Sequence, residues 1–313
     1  MILLAAMLSG CTASGEQDFT NKLPTAPQDS ASSISSSMEA SGTDEPTPNP
    51  GKSQSSEADS DKIQVHPYLA GLIFDIVEEI STPEMSEYER AKAAFDYMIR
   101  NTYLDEPIGL NLWRIHGGGE QPIPYLEQRA LSPLRYGVGM CEDYAAALTL
   151  LLRGMGLQAE YVPGLTYSAE GHLVDHAWTM VQIDGVWYHL DSQLEDNISR
   201  RGSVRYRYFL KSDTSMSASH RWGQNLIHSG LLTPEQNAQI AQNYLLPVCP
   251  QDYPTPERLE LGETPVPDVE ALRREAEDEI IAWERENGPL PQMELDTIPP
   301  VFGVAGYGPV DEG

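Results

Sequence analysis

Three residues in the middle third of this 313-residue chain have the types and the order that nucleophilic acyl chemistry needs: Cys141, His176 and Asp191. A thiol with a pKa near 8.5 is mostly protonated at neutral pH. It becomes a nucleophile where a helix N-terminus and a neighbouring imidazolium favour the thiolate. Cys141 precedes the Ala- and Leu-rich run from Tyr144 to Arg153, which Gly154 and Gly156 close, so it sits at or near a helix N-terminus. His176 and Asp191 lie on strand-like runs, Asp175 to Ile183 and Val186 to Gln193, joined by the hairpin dipeptide Asp184-Gly185. A two-residue turn there sets His176 opposite Gln193 and Trp178 opposite Asp191. His176 and Asp191 become diagonal neighbours on one face, ~7–8 Å apart at the backbone and within hydrogen-bonding reach through their side chains. Asp191 would fix the tautomer of His176, the base that activates Cys141. The Cys141 backbone N–H is a natural oxyanion donor, Tyr136 is a candidate for a second, and the Trp178 indole could shape an acyl slot.

Each candidate has a blander reading. A cysteine in an apolar segment is commonly a small buried hydrophobe, and Cys249, in Pro-Val-Cys-Pro, is read that way. His172 falls in the loop before the strand and His189 lacks the Ala-Trp context of His176, so both read as structural or rim residues. No His or Cys cluster has metal-ligand spacing, and neither a metal nor another cofactor is expected.

The elements that must position these groups are legible in part. Leu69, Leu72, Ile73, Ile76, Val77 and Ile80 recur at helical spacing from His66 to Ile80. Ser86 and Glu89 form a capping box ahead of a second helix through Ala91, Ala94, Phe95, Met98 and Ile99 that ends near Asn101. Pro and Gly are dense between Tyr103 and Ser132, which predicts a long surface loop. Strands are expected over Gln158 to Tyr167 and Arg205 to Lys211, besides the hairpin. The hairpin face with Ala177, Thr179, Val181, Ile183, Val186, Tyr188 and Leu190 should pack on a core, while the His176 face keeps polar groups. Ser215 to Leu245 reads as loops and a short helix. The fold is expected to close near Pro250, followed by an acidic tail with one helical stretch, Pro267 to Glu286, free to dock or float.

Three segments resemble the core of the transglutaminase-like superfamily. They are Gly137-Val138-Gly139-Met140-Cys141-Glu142-Asp143-Tyr144-Ala145, Asp175-His176-Ala177-Trp178 and Trp187-Tyr188-His189-Leu190-Asp191. Tyr206-Arg207-Tyr208-Phe209-Leu210 and His220-Arg221-Trp222 are similar to the downstream segment of bacterial members, so the resemblance runs roughly from Ser86 to Trp222. It implies an α+β fold with a papain/transglutaminase-like core: N-terminal helices, a nucleophile helix packed on an antiparallel sheet, and disordered flanks. By the same resemblance Cys141, His176 and Asp191 fall on the family's triad. The family usually has Pro after the aspartate and often Gly two places after the cysteine. Ser192 and Asp143 stand here, changes that bear on pocket shape and not on a catalytic group.

Composition sets the outer limits. With 47 acidic against 20 basic residues the net charge is −27, which excludes nucleic acid as a default partner because a phosphate backbone needs a basic footprint. The three cysteines have unlike surroundings, which argues against a disulfide framework. Cys11 ends an apolar run through Leu8-Ser9-Gly10 that resembles the lipobox of bacterial lipoproteins, which implies removal of residues before Cys11 and lipidation of its thiol. Residues 12–62, rich in Ser, Thr, Pro, Glu and Asp, cannot offset their ordering entropy and read as a disordered tether. As a flexible coil such a tether spans ~40 Å. The expected organisation is a signal segment (1–11), the tether (12–62), a folded domain (63–250) and the acidic tail (251–313). The protein so read is exported and held by lipid to the outer face of a bacterial membrane. It acts on a protein or peptide substrate such as a cell-wall peptide, through a Cys141 acyl-enzyme resolved by water or, as the alternative, by an amine. A catalytically silent binding module and a tethered scaffold remain the competing readings.

Overall fold

The computed structural model describes residues 65–117, 122–168, 171–199, 202–244, 246–262 and 266–292. The segments expected to be a signal and a tether, and the end of the acidic tail, lie outside them. The first two helices form as their periodicity predicts: α1 (Pro67–Ile80), with Pro at its first position, and α2 (Glu87–Asn101). The Ser86 hydroxyl accepts from the Glu89 N–H at 3.2 Å while the Glu89 carboxylate accepts from the Ser86 N–H at 2.8 Å, so the capping box closes in both directions.

The stretch expected to be a long surface loop is not one. After the short strand β1 (Tyr103–Leu104) the chain makes a 3₁₀ turn (Leu110–Leu112), a helical turn α3 (Trp113–His116) and a full helix, α4 (Tyr125–Tyr136). Three polar residues of α4 are buried and hydrogen-bonded, two of them at long range. Glu127 accepts from the His66 N–H at 2.8 Å, Gln128 donates to the Ile123 carbonyl at 2.5 Å, and the Ser132 hydroxyl accepts from the Ile108 N–H at 2.7 Å. Burial of that kind has no signature in hydrophobic periodicity. Strand β2 (Val138–Gly139) pairs in parallel with β1 and leads into α5 (Cys141–Gly154). That helix is apolar on nearly every side and runs through the middle of the core, as such a pattern requires. Gly156, at φ +79°, stops it, and the Leu157 N–H closes back on the Leu152 carbonyl at 3.0 Å.

The sheet follows: β3 (Ala159–Tyr167), β4 (Leu173–Ile183) and β5 (Val186–Leu190). Asp184 and Gly185 both have positive φ, the two-residue hairpin turn predicted for them, and Ile183 pairs with Val186. β5 ends at Leu190, earlier than predicted, because Asp191 turns the chain into α6 (Ser192–Ser199). After β6 (Ser203–Val204) the expected strand from Arg205 shrinks to β7 (Phe209–Lys211). Positive φ at Tyr206 breaks it, Leu210, also at positive φ, bulges from the β5 ladder within β7, and the segment winds round the buried Glu195, whose carboxylate accepts from the N–H groups of Arg205 and Tyr208. Then come α7 (Asp213–Met216), β8 (His220–Arg221), α8 (Gly223–Ile227) and α9 (Pro234–Asn243). The five-stranded sheet is antiparallel throughout, in the order β7-β5-β4-β3-β8, so the fold is α+β, with α1, α2, α4 and α6 gathered round α5.

The chain does not leave the fold at Pro250. Tyr253 stacks on Tyr88 with ring centroids 4.8 Å apart, β9 (Leu259–Glu260) pairs with β6, and α10 (Val269–Asn287) docks. Ala276 of α10 is buried, Glu279 pairs with Arg135 and His116, and Arg273 reaches Asp105 at 3.1 Å. Among the described residues no helix is long and apolar enough to cross a membrane.

Both faces of the sheet are covered. Val181, Ile183, Tyr188 and Leu190 join the main core under α5 and α2, as predicted. The other face carries His176 but is not simply polar: Val162, Trp178, Met180, Met216, Trp222 and Cys249 form a second apolar cluster there. Gly164 in β3 permits this cover, since a Cβ at that position would lie 2.6 Å from the Trp178 indole and closer still to the Arg221 carbonyl. Gly164→Ala should cost about 1–3 kcal/mol by overpacking. The measurement is the urea midpoint, expected to fall at constant m-value; an unchanged midpoint contradicts this packing.

Candidate active site

Cys141 is the first residue of α5 and is buried, 7% exposed. The helix starts there because Asp143 reaches back to accept the Met140 N–H at 2.8 Å. Asp143 is itself buried beside Arg129, with Nε 2.7 Å from Oδ1, and Glu142 also faces Arg129 at 3.3 Å. Burial pushes the Asp143 carboxyl up to about 7, against the opposing pull of Arg129 and the Met140 N–H. Asp143 therefore ties the first turn of α5 to α4.

The register of α5 on the sheet fixes where Cys141 points. The Thr149 and Thr179 hydroxyls meet at 3.1 Å, Thr179 also bonds the Ala145 carbonyl, and Ala145 packs on Ala177 and Tyr161. One turn further toward the helix N-terminus on the same stripe is Cys141, at the end of β4 that carries His176. Tyr161 and Tyr125 border it, their ring centroids 5.9 Å apart. Burial, joined by the charges of Tyr125, Glu142 and Cys141, pushes the Tyr161 phenol well above its ordinary range. Neither tyrosine was found from sequence, because only the packing of α4 against β3 brings them to the thiol.

His176 and Asp191 meet as the hairpin register predicts, Nε2 to Oδ2 at 2.6 Å, with both side chains buried. Asp191 is also the N-terminal cap of α6: Oδ1 accepts from the Leu194 N–H at 2.9 Å. A third group was not foreseen in this role. His220 of β8 places Nε2 3.0 Å from the same Oδ2. Burial opposes ionisation of Asp191, yet the two histidines hold it well below the usual carboxylate range.

Trp178 was expected to line an acyl slot, but it is 1% exposed and lies beneath the histidines. It stacks on His176 at 6.0 Å, meets His220 edge-on at 4.7 Å, and donates its indole N–H to His189 Nδ1 at 2.9 Å. Its part in the site is support from below. Tyr136, expected to face the oxyanion, also belongs elsewhere. It ends α4 in the main core, with Arg135 over its ring at 5.0 Å and with Glu279 and Glu275 of α10 among the charges acting on its phenol. Cys11, expected from its sequence context to be lipidated, lies outside the described residues.

Among the described residues, two groups of metal-ligand type form in three dimensions that sequence spacing does not show: His176, Asp191 and His220, and His189, Asp213 and Cys249. In the second, the Trp178 N–H requires the Nδ1 lone pair of His189. The proton therefore sits on Nε2, which faces Asp213 Oδ1 at 2.9 Å, and the ring offers no free lone pair to a cation. Burial raises the Cys249 thiol far above its ordinary value, as expected of a structural cysteine.

Residues 75–192 match the model of the transglutaminase-like superfamily. The matched segment contains Cys141, His176 and Asp191. Among solved structures, a TGase crystal structure is similar at 22% identity and a TM-score of 0.31, over 42% of this chain and 34% of that one. A putative cysteine protease from Cytophaga hutchinsonii is similar at 19% identity and a TM-score of 0.28, over 39% of this chain and 36% of that one. The chain thus spans about a third of the length of each. No curated protein matches. The matched residues take in the helix-on-sheet core, while β8 and α10 lie beyond them.

Burial lowers the His189 imidazole below its ordinary value, although Asp213 pulls the other way. A base so depressed takes up its proton first in the unfolded chain, so its contribution to stability is full above pH ~6.5 and is lost as pH falls. The stability gap between wild type and His189→Gln should therefore narrow between pH 7.5 and 5.5, by at most about 1.4 kcal/mol per pH unit. Urea unfolding at several pH values measures the gap, and a constant gap would mean that His189 is not held neutral.

Proposed function

We propose that the protein is a thiol enzyme that forms an acyl-enzyme on Cys141 from a carboxamide or peptide carbonyl. The observation that carries this reading is the buried His176–Asp191 pair at 2.6 Å, set at the end of the sheet to which α5 brings its first residue, Cys141. With Nε2 of His176 committed to Asp191, Nδ1 is the nitrogen left to take the thiol proton. The thiolate adds to the carbonyl, and the oxyanion is met by N–H groups at the start of α5. Imidazolium returns its proton to the departing amine, leaving a thioester. Water then attacks, with His176 again as base, and yields a carboxylic acid and the free thiol. An amine in place of water yields a new amide. Water is the acceptor favoured at a cell surface, where it is always present.

In this reading the substrate is a protein or peptide, such as a cell-wall peptide, and the enzyme works outside the cell. It is held to the membrane by lipid on Cys11 and displaced from the surface by the segment 12–62. Support for that placement is the Leu8-Ser9-Gly10-Cys11 sequence followed at once by a polar, low-complexity stretch.

Two measurements separate these parts. In the full chain, iodoacetamide should label Cys141 ahead of Cys249 at pH 6–7, with the labelled site located by peptide mass. His176→Ala should slow Cys141 about tenfold or more. Equal rates at the two cysteines would sink the enzyme reading and leave a binding module on the same fold. Separately, Cys11→Ser should abolish incorporation of radiolabelled palmitate and release the protein from the membrane fraction; an unchanged distribution refutes the anchor.

A further inference from the structure

Asp191 is shared. Its Oδ2 lies 2.6 Å from His176 Nε2 and 3.0 Å from His220 Nε2, while its Oδ1 takes the Leu194 N–H at 2.9 Å. An ionised carboxylate only accepts hydrogen bonds, so both imidazoles must carry their proton on Nε2. For His220 the other nitrogen is provided for as well, since the Ser219 hydroxyl lies 2.8 Å from Nδ1. The ring is fully buried and clamped edge-on between Trp178, at 4.7 Å and 67°, and Tyr208, at 5.7 Å and 69°. Its backbone pairs with Thr166 of β3, and the Thr166 hydroxyl bonds the Ser219 carbonyl.

We infer that His220 is a positioning residue for the Cys141–His176 pair: it donates a neutral imidazole N–H to Asp191, so that the carboxylate is held in place and divides its charge between two rings. The inference rests on the thiol-enzyme reading above. With three donors on two oxygens, Asp191 cannot rotate away from His176 without leaving an N–H buried and unpaired. Sharing also moderates its pull. An anion with one donor fewer is a stronger base and binds the imidazolium of His176 more tightly, which would hold the proton against transfer to a leaving amine. A second cation beside His176 would have the reverse effect, and burial keeps His220 neutral, with His176 and His189 adding to that tendency. The titratable groups around the pair are Asp191 and His189 at the end of β5, Tyr208 and His220 on the His176 side, and Tyr125, Glu142 and Tyr161 on the Cys141 side.

The test is the pH profile of Cys141 alkylation by iodoacetamide in the full chain, for wild type, His220→Leu and His220→Gln, with thermal unfolding as the folding control. Gln can present an N–H near the position of Nε2, and Leu cannot. In His220→Leu the step at which the His176 imidazolium loses its proton should move to higher pH by about half a unit or more, because Asp191 has lost a donor. His220→Gln should restore the wild-type profile. If Cys141 is activated in wild type but the Leu profile superimposes on it, the inference fails and the enzyme reading stands. If Leu and Gln shift the profile equally, the ring acts by packing alone and the inference fails. If Cys141 reacts no faster than Cys249 in wild type, both readings fall together. Stoichiometric zinc in the purified protein that is lost in both variants would instead make His176, Asp191 and His220 a metal site, and would overturn the inference.

Discussion

One buried anion organises the centre of this molecule. Asp191 is 1% exposed, and a lone carboxylate in that position would cost several kcal/mol to ionise. It stays charged because three donors converge on it from three elements: His176 from β4, His220 from β8 and the Leu194 N–H from α6. That requirement propagates outward. β5 must stop at Leu190 so that Asp191 can leave the ladder and cap a helix, and the two-residue strand β8 must lie beside β3 so that His220 arrives. The loop after α6 must give its own N–H groups to Glu195, the next buried carboxylate along the chain.

The opposing half of the site is set by α5. A helix that is apolar on nearly all sides has to run through the core, and its N-terminus then comes to the sheet edge with its partial positive charge facing Cys141. The small side chain of Ala145 lets it approach β3 and β4 closely, packed on Tyr161 and Ala177. Asp143 and Arg129 anchor its first turn to α4 without exposing either charge fully to water. In the proposed mechanism the thiol and the imidazole are carried by a helix and a strand and not by loops, an arrangement that holds reacting groups within narrow tolerances.

What the sequence shows of this follows the range of the interactions. The Ser86–Glu89 cap, the Asp184-Gly185 turn and the His176–Asp191 pairing are local or fixed by one short turn, so residue types and spacing suffice. Helix α4 was missed because Glu127, Gln128 and Ser132 look like surface residues and are satisfied inside by partners up to 61 positions away. His220 was visible as part of a downstream motif, but its bond to Asp191 spans 29 residues and a register that no local pattern encodes. Tyr136 and Trp178 were judged on closeness in sequence to Cys141 and His176. The fold turns the first toward α10 and buries the second. The docking of α10 depends on Glu279 meeting Arg135 and His116, a pairing of surface-type residues at long range.

The molecule contains a second set with the same chemistry as the proposed triad, and the contrast shows what composition leaves open. Cys249, His189 and Asp213 lie together as a thiol, an imidazole and a carboxylate, beneath the same Trp178. Their order differs. Around Cys141 the carboxylate stands behind the imidazole, and a helix N-terminus faces the sulfur. Around Cys249 the carboxylate stands beside the thiol itself, where its charge, after burial, raises the thiol pKa. The lone pair of His189 available to take a proton is already occupied by the Trp178 N–H. One indole thus does two things: its face and edge support the two histidines on Asp191, and its N–H silences the histidine below. Reactivity in this fold follows from which neighbour each lone pair faces, and the same three residue types give a candidate nucleophile in one place and an inert core contact in the other.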